Sequence, residues 1–247
     1  MKMLLNKKLL TISMIIAAGA VSFGLAGCSN NDDKESTSSA ETQATETTLS
    51  GEEIDALFNI GKAEGNIYKN DFFNIRFEGG ENWRLLNDEQ LATISSSIKD
   101  VMTDEEAKKA LEDGKTSIIM YAVSKDAKQN ASITVEKHNV NNTHEADLEA
   151  FLDKSVTSLM NSLPGQGFTD LEVEKTDLTF CGEPAKGITI KGKYSVKAND
   201  GSDKTEIRDI YETMVYTFRG SYSGCVTASS FDVDKTAEVL KMFSKAE

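Results

Sequence analysis

The order of strand-like runs and turn residues predicts an α+β fold, an antiparallel β-sheet packed with helices. Three observations carry this. Four strand-like runs follow one another: Thr169–Phe180, Ala185–Val196, Thr205–Arg219 and Tyr222–Ser230. Their separators, Gly182-Glu-Pro184, Asn199-Asp-Gly201 and Gly220-Ser221, are short or turn-rich, as an antiparallel meander requires. Helical and strand patterns are mixed but segregated, with no repeated βαβ unit, and an antiparallel sheet with helices packed on it is the natural reading.

Each element has its own local signal. Ser50-Gly-Glu-Glu53 forms a capping box that opens a short helix through Phe58, and Gly61, Gly65 and Asn66 break the chain after it. Ile67-Tyr68 and Phe72–Phe77 read as strands, the second with Phe73, Ile75 and Phe77 alternating onto one face. Gly79-Gly80 ends it, and Trp83 follows. Asn87-Asp88 caps a helix through Ile98, with Leu91, Ile94 and Ile98 at helical spacing. Thr103-Asp-Glu-Glu106 is a second capping box, opening a helix through Leu111 that Gly114 ends. Ser117–Val123 and Ala131–Glu136 read as strands around a polar turn at Lys125–Asn130. Asp147–Leu163 is a strongly amphipathic helix whose stripe is Leu148, Phe151, Leu152, Val156, Leu159 and Leu163, stopped by Pro164-Gly165. Asp232 is expected to cap a final helix carrying Val239, Leu240 and Phe243.

The N-terminus predicts location. Lys2, Lys7 and Lys8 precede an apolar run from Leu9 to Ala26, and Leu25-Ala26-Gly27-Cys28 closes it. A basic start, an apolar stretch and small residues at the cut are the parts of a secretory signal. Thr11, Ser13, Gly19, Ser22 and Gly24 interrupt the run and weaken it as a permanent span. The four closing residues resemble the lipobox of a bacterial lipoprotein signal peptide. That resemblance implies a diacylglyceryl thioether on Cys28, cleavage before it and acylation of its amine. Two or more acyl chains, at about 0.8 kcal/mol per buried methylene, make such an anchor stable. The resulting division is a signal peptide at 1–27, the lipidated Cys28 with a linker at 28–50, and one folded domain at 51–247. Residues 29–50 hold Leu49 as their single large hydrophobe, so they cannot offset the entropy of ordering. As a flexible coil they would span roughly 25 Å and hold the domain off the membrane.

Charge excludes one class of partner. The formal charge is −13, and residues 1–27 hold three lysines and no acid, so their removal takes it to −16. Phosphate backbones and anionic headgroups repel such a chain, which argues against nucleic-acid binding. Cys181 and Cys225 remain once the anchor has used Cys28. In an exported chain a Cys181–Cys225 disulfide would add about 4 kcal/mol. In the meander, however, three strand steps put them about 14 Å apart, beyond the Cα separation of about 7 Å that a disulfide tolerates. Either the thiols are free or the strand order is different. Neither cysteine has zinc-type spacing to another ligand.

Tyr68-Lys-Asn70-Asp-Phe-Phe-Asn-Ile75-Arg-Phe77, then Glu81-Asn-Trp83, then Cys181-Gly-Glu-Pro-Ala185 opening a strand, resemble the PsbP-like fold. That fold is shared by an extrinsic photosystem II protein, a Ran-binding nuclear transport factor and many bacterial lipoproteins. The resemblance covers roughly residues 65–245 and implies an α/β/α sandwich with a meander between helices. It implies a binding or assembly module and hands over no catalytic residue.

Other chemical signals are sparse. His138 and His144 flank a polar loop, Asn139–Thr143, with Glu145 and Asp147 nearby; a metal or acid–base site competes there with plain helix capping. Gly220-Ser-Tyr-Ser-Gly224 mimics a nucleophile elbow, but its centre is Tyr222 and its setting is a hairpin. Asp200-Gly-Ser-Asp203 lacks the spacing of a calcium loop and reads as a turn. Asn130-Ala-Ser132 and Asn141-Asn-Thr143 match glycosylation acceptors without consequence in a bacterial lipoprotein. Tyr68, Phe72 and Trp83 would line a pocket or, more simply, build the core. No cofactor motif is present. The expectation is therefore a lipid-anchored, extracytoplasmic, non-enzymatic module with an envelope protein or small ligand as partner. The alternatives are a metal- or solute-binding lipoprotein that delivers cargo, and an envelope hydrolase.

Overall fold

Alternation along the chain's strands sorts side chains into two layers about one large sheet. The computed structural model describes residues 50–87, 90, 103–114, 116–138, 147–197 and 205–247. The signal peptide, Cys28, the linker to residue 49, His144, Asn141-Asn-Thr143 and Asp200–Asp203 lie outside them. So does most of the helix expected over Asn87–Ile98, although the Asn87 and Gln90 side chains do cap each other's backbone N–H at 2.9 and 3.1 Å.

Eleven strands and four α-helices are described. In chain order they are α1 (Gly51–Ala56), β1 (Lys62–Glu64), β2 (Ile67–Asn70), β3 (Ile75–Glu78), β4 (Trp83–Leu85), α2 (Asp104–Glu112), β5 (Ser117–Ser124), β6 (Gln129–Lys137), α3 (Leu148–Ser162), β7 (Phe168–Phe180), β8 (Glu183–Lys197), β9 (Thr205–Arg219), β10 (Tyr222–Phe231), α4 (Thr236–Leu240) and β11 (Phe243–Ser244). The large sheet has the order β4-β5-β6-β10-β9-β8-β7 and the small one β1-β2-β3-β11. Every pairing is antiparallel.

Both capping boxes form. Ser50 and Glu53 cap α1 reciprocally, and Thr103 and Glu106 do the same for α2. The β7–β8 hairpin turns on Cys181 and Gly182, both at positive φ (50° and 84°), between the paired Phe180 and Glu183. A two-residue type I′ loop needs positive φ at both positions, which explains the glycine. The β9–β10 turn has Gly220 at φ 58°. An added Cβ there would overlap the Asp55 carboxylate, which accepts from the Ser221 N–H at 2.9 Å and ties the turn to α1.

Each face of the large sheet has its own core. On one, Ile133, Val135, Val215, Val226 and Ala228 meet Phe77 and Tyr68 of the small sheet, Leu111 of α2 and Val239 of α4. On the other, Phe151, Leu152 and Leu159 of α3 pack on Val173, Ile188, Ile190 and Met214. The class is α+β, as expected. One outer layer, however, is a four-stranded sheet with three short helices, α1, α2 and α4, so the structure departs there from a plain α/β/α sandwich.

Three local expectations are corrected. Phe72-Phe73 belong to a turn, because Asn74 adopts φ 52° and the strand starts at Ile75. Asp232 does not cap the last helix. It sits at φ 65° and holds Arg208, at 3.0 Å to Nε and 2.6 Å to Nη2, while the Asp234 carboxylate accepts from the Thr236 N–H at 3.0 Å. Phe243 has left the helix and pairs in β11 with Phe77. Among the described residues no helix is long and apolar enough to cross a membrane.

Candidate functional site: a buried polar face

Strand alternation gives β6 and β10 one apolar and one polar face. Ala131, Ile133 and Val135 of β6, with Val226 and Ala228 of β10, point into the first core. Asn130, Ser132, Thr134, Glu136 and the adjoining His138 therefore share the opposite face, with Ser221, Ser223, Cys225, Thr227 and Ser229 beside them. The register sets Ser223 opposite Glu136, Cys225 opposite Thr134, Thr227 opposite Ser132 and Ser229 opposite Asn130. On the neighbouring strands, Glu212 of β9 lies opposite Ser229 and Tyr121 of β5 opposite Ser132. A polar sheet face ordinarily meets water. This one is buried: Asn130, Ser132, Thr134, Ser223, Thr227 and Ser229 all lie inside, Glu212 is 1% exposed and Tyr121 2%.

The buried carboxyl is only half satisfied. Ser229 Oγ donates to Glu212 Oε1 at 3.1 Å, whereas Glu212 Oε2 and the Tyr121 hydroxyl find no hydrogen-bond partner among the described residues. Burial pushes the Glu212 carboxyl up to about 8, against the opposing hydrogen bond from Ser229. Burial also raises Tyr121, and the Glu212 charge adds to it. Each unsatisfied buried group costs about 1–3 kcal/mol, and native proteins hold few of them. Two of the four such atoms among the described residues lie on this face; the other two are Ser117 Oγ and Gln166 Oε1.

The other end of the face holds His138 and Glu136. His138 Nε2 lies 2.7 Å from Ser223 Oγ, and the His138 N–H donates to the Ser221 carbonyl at 2.7 Å. Thr116 Oγ1 donates to Glu136 Oε1 at 2.8 Å, yet burial still raises the Glu136 carboxyl. A serine within reach of an imidazole has the spacing of a nucleophile and its base. Ser223, however, lies inside a strand rather than at an exposed turn.

The candidates read from the sequence fall in several places. Tyr68, Phe72 and Trp83 are core residues, 2%, 1% and 5% exposed. Asn130-Ala-Ser132 is a buried stretch of β6, so its acceptor pattern has no surface loop behind it. Gly220–Gly224 is the β9–β10 hairpin. His138 joins the polar face, while its expected companion His144 lies outside the described residues. Among the described residues no group of three or more His, Cys, Asp or Glu could hold a metal ion. Cys181, half-buried on the β7–β8 turn, and Cys225, buried on β10, both carry free thiols. Burial pushes them up to about 11 and about 12, so neither is a ready thiolate. Glu212 and Tyr121 carried no motif. Their signal was a carboxylate inside a mostly apolar run, Ile210-Tyr-Glu-Thr-Met-Val215, beside two strands with polar or thiol side chains at every second position.

Neither a family model nor a curated protein matches the chain. Among solved structures, the crystal structure of LpqN, described as involved in cell envelope biogenesis of Mycobacterium tuberculosis, is similar at 12% identity with a TM-score of 0.36. That match covers 69% of this chain and 82% of that one.

Proposed function

We propose that the chain is a lipid-anchored, extracytoplasmic binding module that holds a small polar ligand on the β6–β10 face of its large sheet. The observation that carries the binding reading is the half-satisfied Glu212 beside an unpartnered Tyr121 hydroxyl, on a buried floor of Ser, Thr and Asn. The anchor rests on Leu25-Ala26-Gly27-Cys28 and the polar linker after it. The domain at 51–247 then works at the end of a spacer, outside the membrane.

Two experiments test this. Full-length protein made in bacteria should partition into detergent and the Cys28→Ser protein into the aqueous phase; equal partitioning would remove the anchor. Native mass spectrometry of purified protein should show a small ligand that Thr227→Leu, which fills the floor, excludes. A wild-type spectrum without adduct, or one that Thr227→Leu leaves unchanged, would remove the binding site.

One observation favours a second reading, an envelope hydrolase: the 2.7 Å contact of His138 Nε2 with Ser223 Oγ. Turnover of p-nitrophenyl esters that Ser223→Ala and His138→Ala abolish alike would establish it. Turnover that survives either change would dismiss it.

A further inference from the structure

Among the described residues the fold opens with α1, and α1 is held more lightly than the chain that follows it. None of its six residues is buried, and Leu57 after it is 49% exposed. Its attachment centres on Asp55, whose carboxylate accepts the Ser221 N–H at 2.9 Å and the Ser221 hydroxyl as well. Gly220 makes room for this contact, since a Cβ there would overlap both Asp55 and Ile54. From α2, Lys108 Nζ reaches the Ala56 carbonyl at 3.4 Å. The grip tightens at Phe58, whose ring is buried and stacks on Tyr222 with centroids 4.4 Å apart and planes at 13°. The Asn59 carbonyl then accepts from Asn70 Nδ2 at 3.0 Å, the Ile60 N–H donates to Asp104 at 2.8 Å, and the Tyr68 hydroxyl donates to the Ile60 carbonyl at 2.6 Å. A short segment with few buried contacts opens at lower cost than the elements it lies on. The boundary between the light and the firm part falls between Leu57 and Phe58.

Ser221 joins this segment to the polar face. Its N–H and hydroxyl go to Asp55, and its carbonyl accepts the His138 N–H at 2.7 Å. Two residues further along β10, Ser223 Oγ lies 2.7 Å from His138 Nε2. Asp55 on one side and His138 on the other thus divide the polar groups of a single residue.

We propose that α1 is a latch on the β9–β10 turn. Docked through Asp55, it fixes Ser221 and so seats Ser223 against His138. Released about a hinge at Leu57–Phe58, it loosens that pair. The linker expected at 28–50 joins α1 at Ser50, so a pull on the anchor would reach the domain at the latch; that link, though not the latch itself, rests on the lipid-anchored reading. Release also lengthens the tether, because six residues span about 9 Å as a helix and about 20 Å extended.

The test compares full-length wild type and Asp55→Ala in detergent micelles, by amide hydrogen exchange and by the imidazole nitrogen resonances of His138. The Ser221 N–H loses its acceptor in any case, so the deciding amide is that of His138. The Ile54, Leu57 and His138 amides should exchange at least about tenfold faster in Asp55→Ala, and the His138 Nε2 resonance should move, while α3 and the β7–β8 hairpin keep their protection. Ser221→Ala leaves the Asp55 carboxylate the N–H alone. It should give the same pattern by a smaller factor, and it decides the matter if Asp55→Ala does not fold. Faster exchange in α1 with the His138 amide and ring unmoved overturns the proposal, because α1 then leaves without releasing the turn. Unchanged exchange in α1 overturns it as well, and so does acceleration spread through α3 and β7–β8, which would make Asp55 a support of the whole fold. Hydrogen exchange reads the latch and detergent partitioning reads the anchor, so the two fail separately.

Discussion

Glu212 keeps its proton in the folded protein and loses it when the chain unfolds, which gives stability a pH dependence of definite sign. The folded carboxyl lies near 8 and its ordinary value is 4.5. Below about 4.5 both states are protonated. Between there and about 8 the unfolded state releases a proton that the folded state retains, so stability falls as pH rises, by up to about 1.4 kcal/mol per unit. Above 8 the effect is complete. Thermal melts from pH 5 to 8 should therefore show wild type losing several degrees more than Glu212→Gln, and parallel curves would mean that the carboxyl is not buried as described. Asp232, Glu149 and Asp126 are shifted the opposite way, by hydrogen bonds to Arg208, Lys186 and Ser124 first of all. They act below this window and cancel in the comparison. Tyr121→Phe deletes an unpartnered buried hydroxyl, so the ligand-free protein should gain about 1 kcal/mol in denaturant melts. A loss of that size would mean that the hydroxyl is hydrogen-bonded.

At the scale of elements, α3 and the two capping boxes are the parts most directly dictated by local chemistry. Leu152 and Leu159 of α3 are both 1% exposed against Val173, Ile188 and Ile190. Leu152→Ala should cost about 2–5 kcal/mol in urea unfolding, the range for a large-to-small change in a packed core. Thr103→Ala removes a cap that accepts the Glu106 N–H at 3.2 Å and should cost about 1 kcal/mol. If the first change proved as mild as the second, α3 would not be holding the β7–β8 half of the sheet. These elements were legible because their signals are local: a cap, a stripe, a proline after the last turn. Phe72–Asn74 and Asp232 were misread because a backbone at positive φ leaves no mark on hydrophobic alternation. The small sheet was only partly legible, since three- and four-residue strands such as β1 and β2 are too short for a period to declare itself.

Across the whole molecule, strand order separates the two remaining cysteines. Cys181 lies on the turn that ends β7 and Cys225 inside β10, with β8 and β9 between those strands. Purified protein, denatured without reductant, should titrate two thiols from these residues in addition to any contributed by Cys28, and Cys181→Ser, Cys225→Ser should melt within about 1 °C of each other. A single missing pair of thiols would require a different sheet. The outer edge of that sheet is β7, which carries Asp170, Glu172, Glu174, Lys175 and Asp177. Lys191 and Lys193 of β8 pair across to Glu172 and Asp170. Such exposed pairs are screened by solvent and contribute little to stability, so their larger effect is to keep a long open edge from joining another chain.

By itself the sequence determined the α+β class, the meander, the two capping boxes and the long amphipathic helix. All of these follow from neighbours along the chain. Only the tertiary structure decided that the polar faces of β6 and β10 are inside the protein. Alternating Ser, Thr and Asn look the same whether the face meets water or a covered floor, because a strand records which residues share a face and not what lies against it. Glu212 is the sharpest case: its carboxyl became a candidate for binding only when the structure showed it buried beside Ser229.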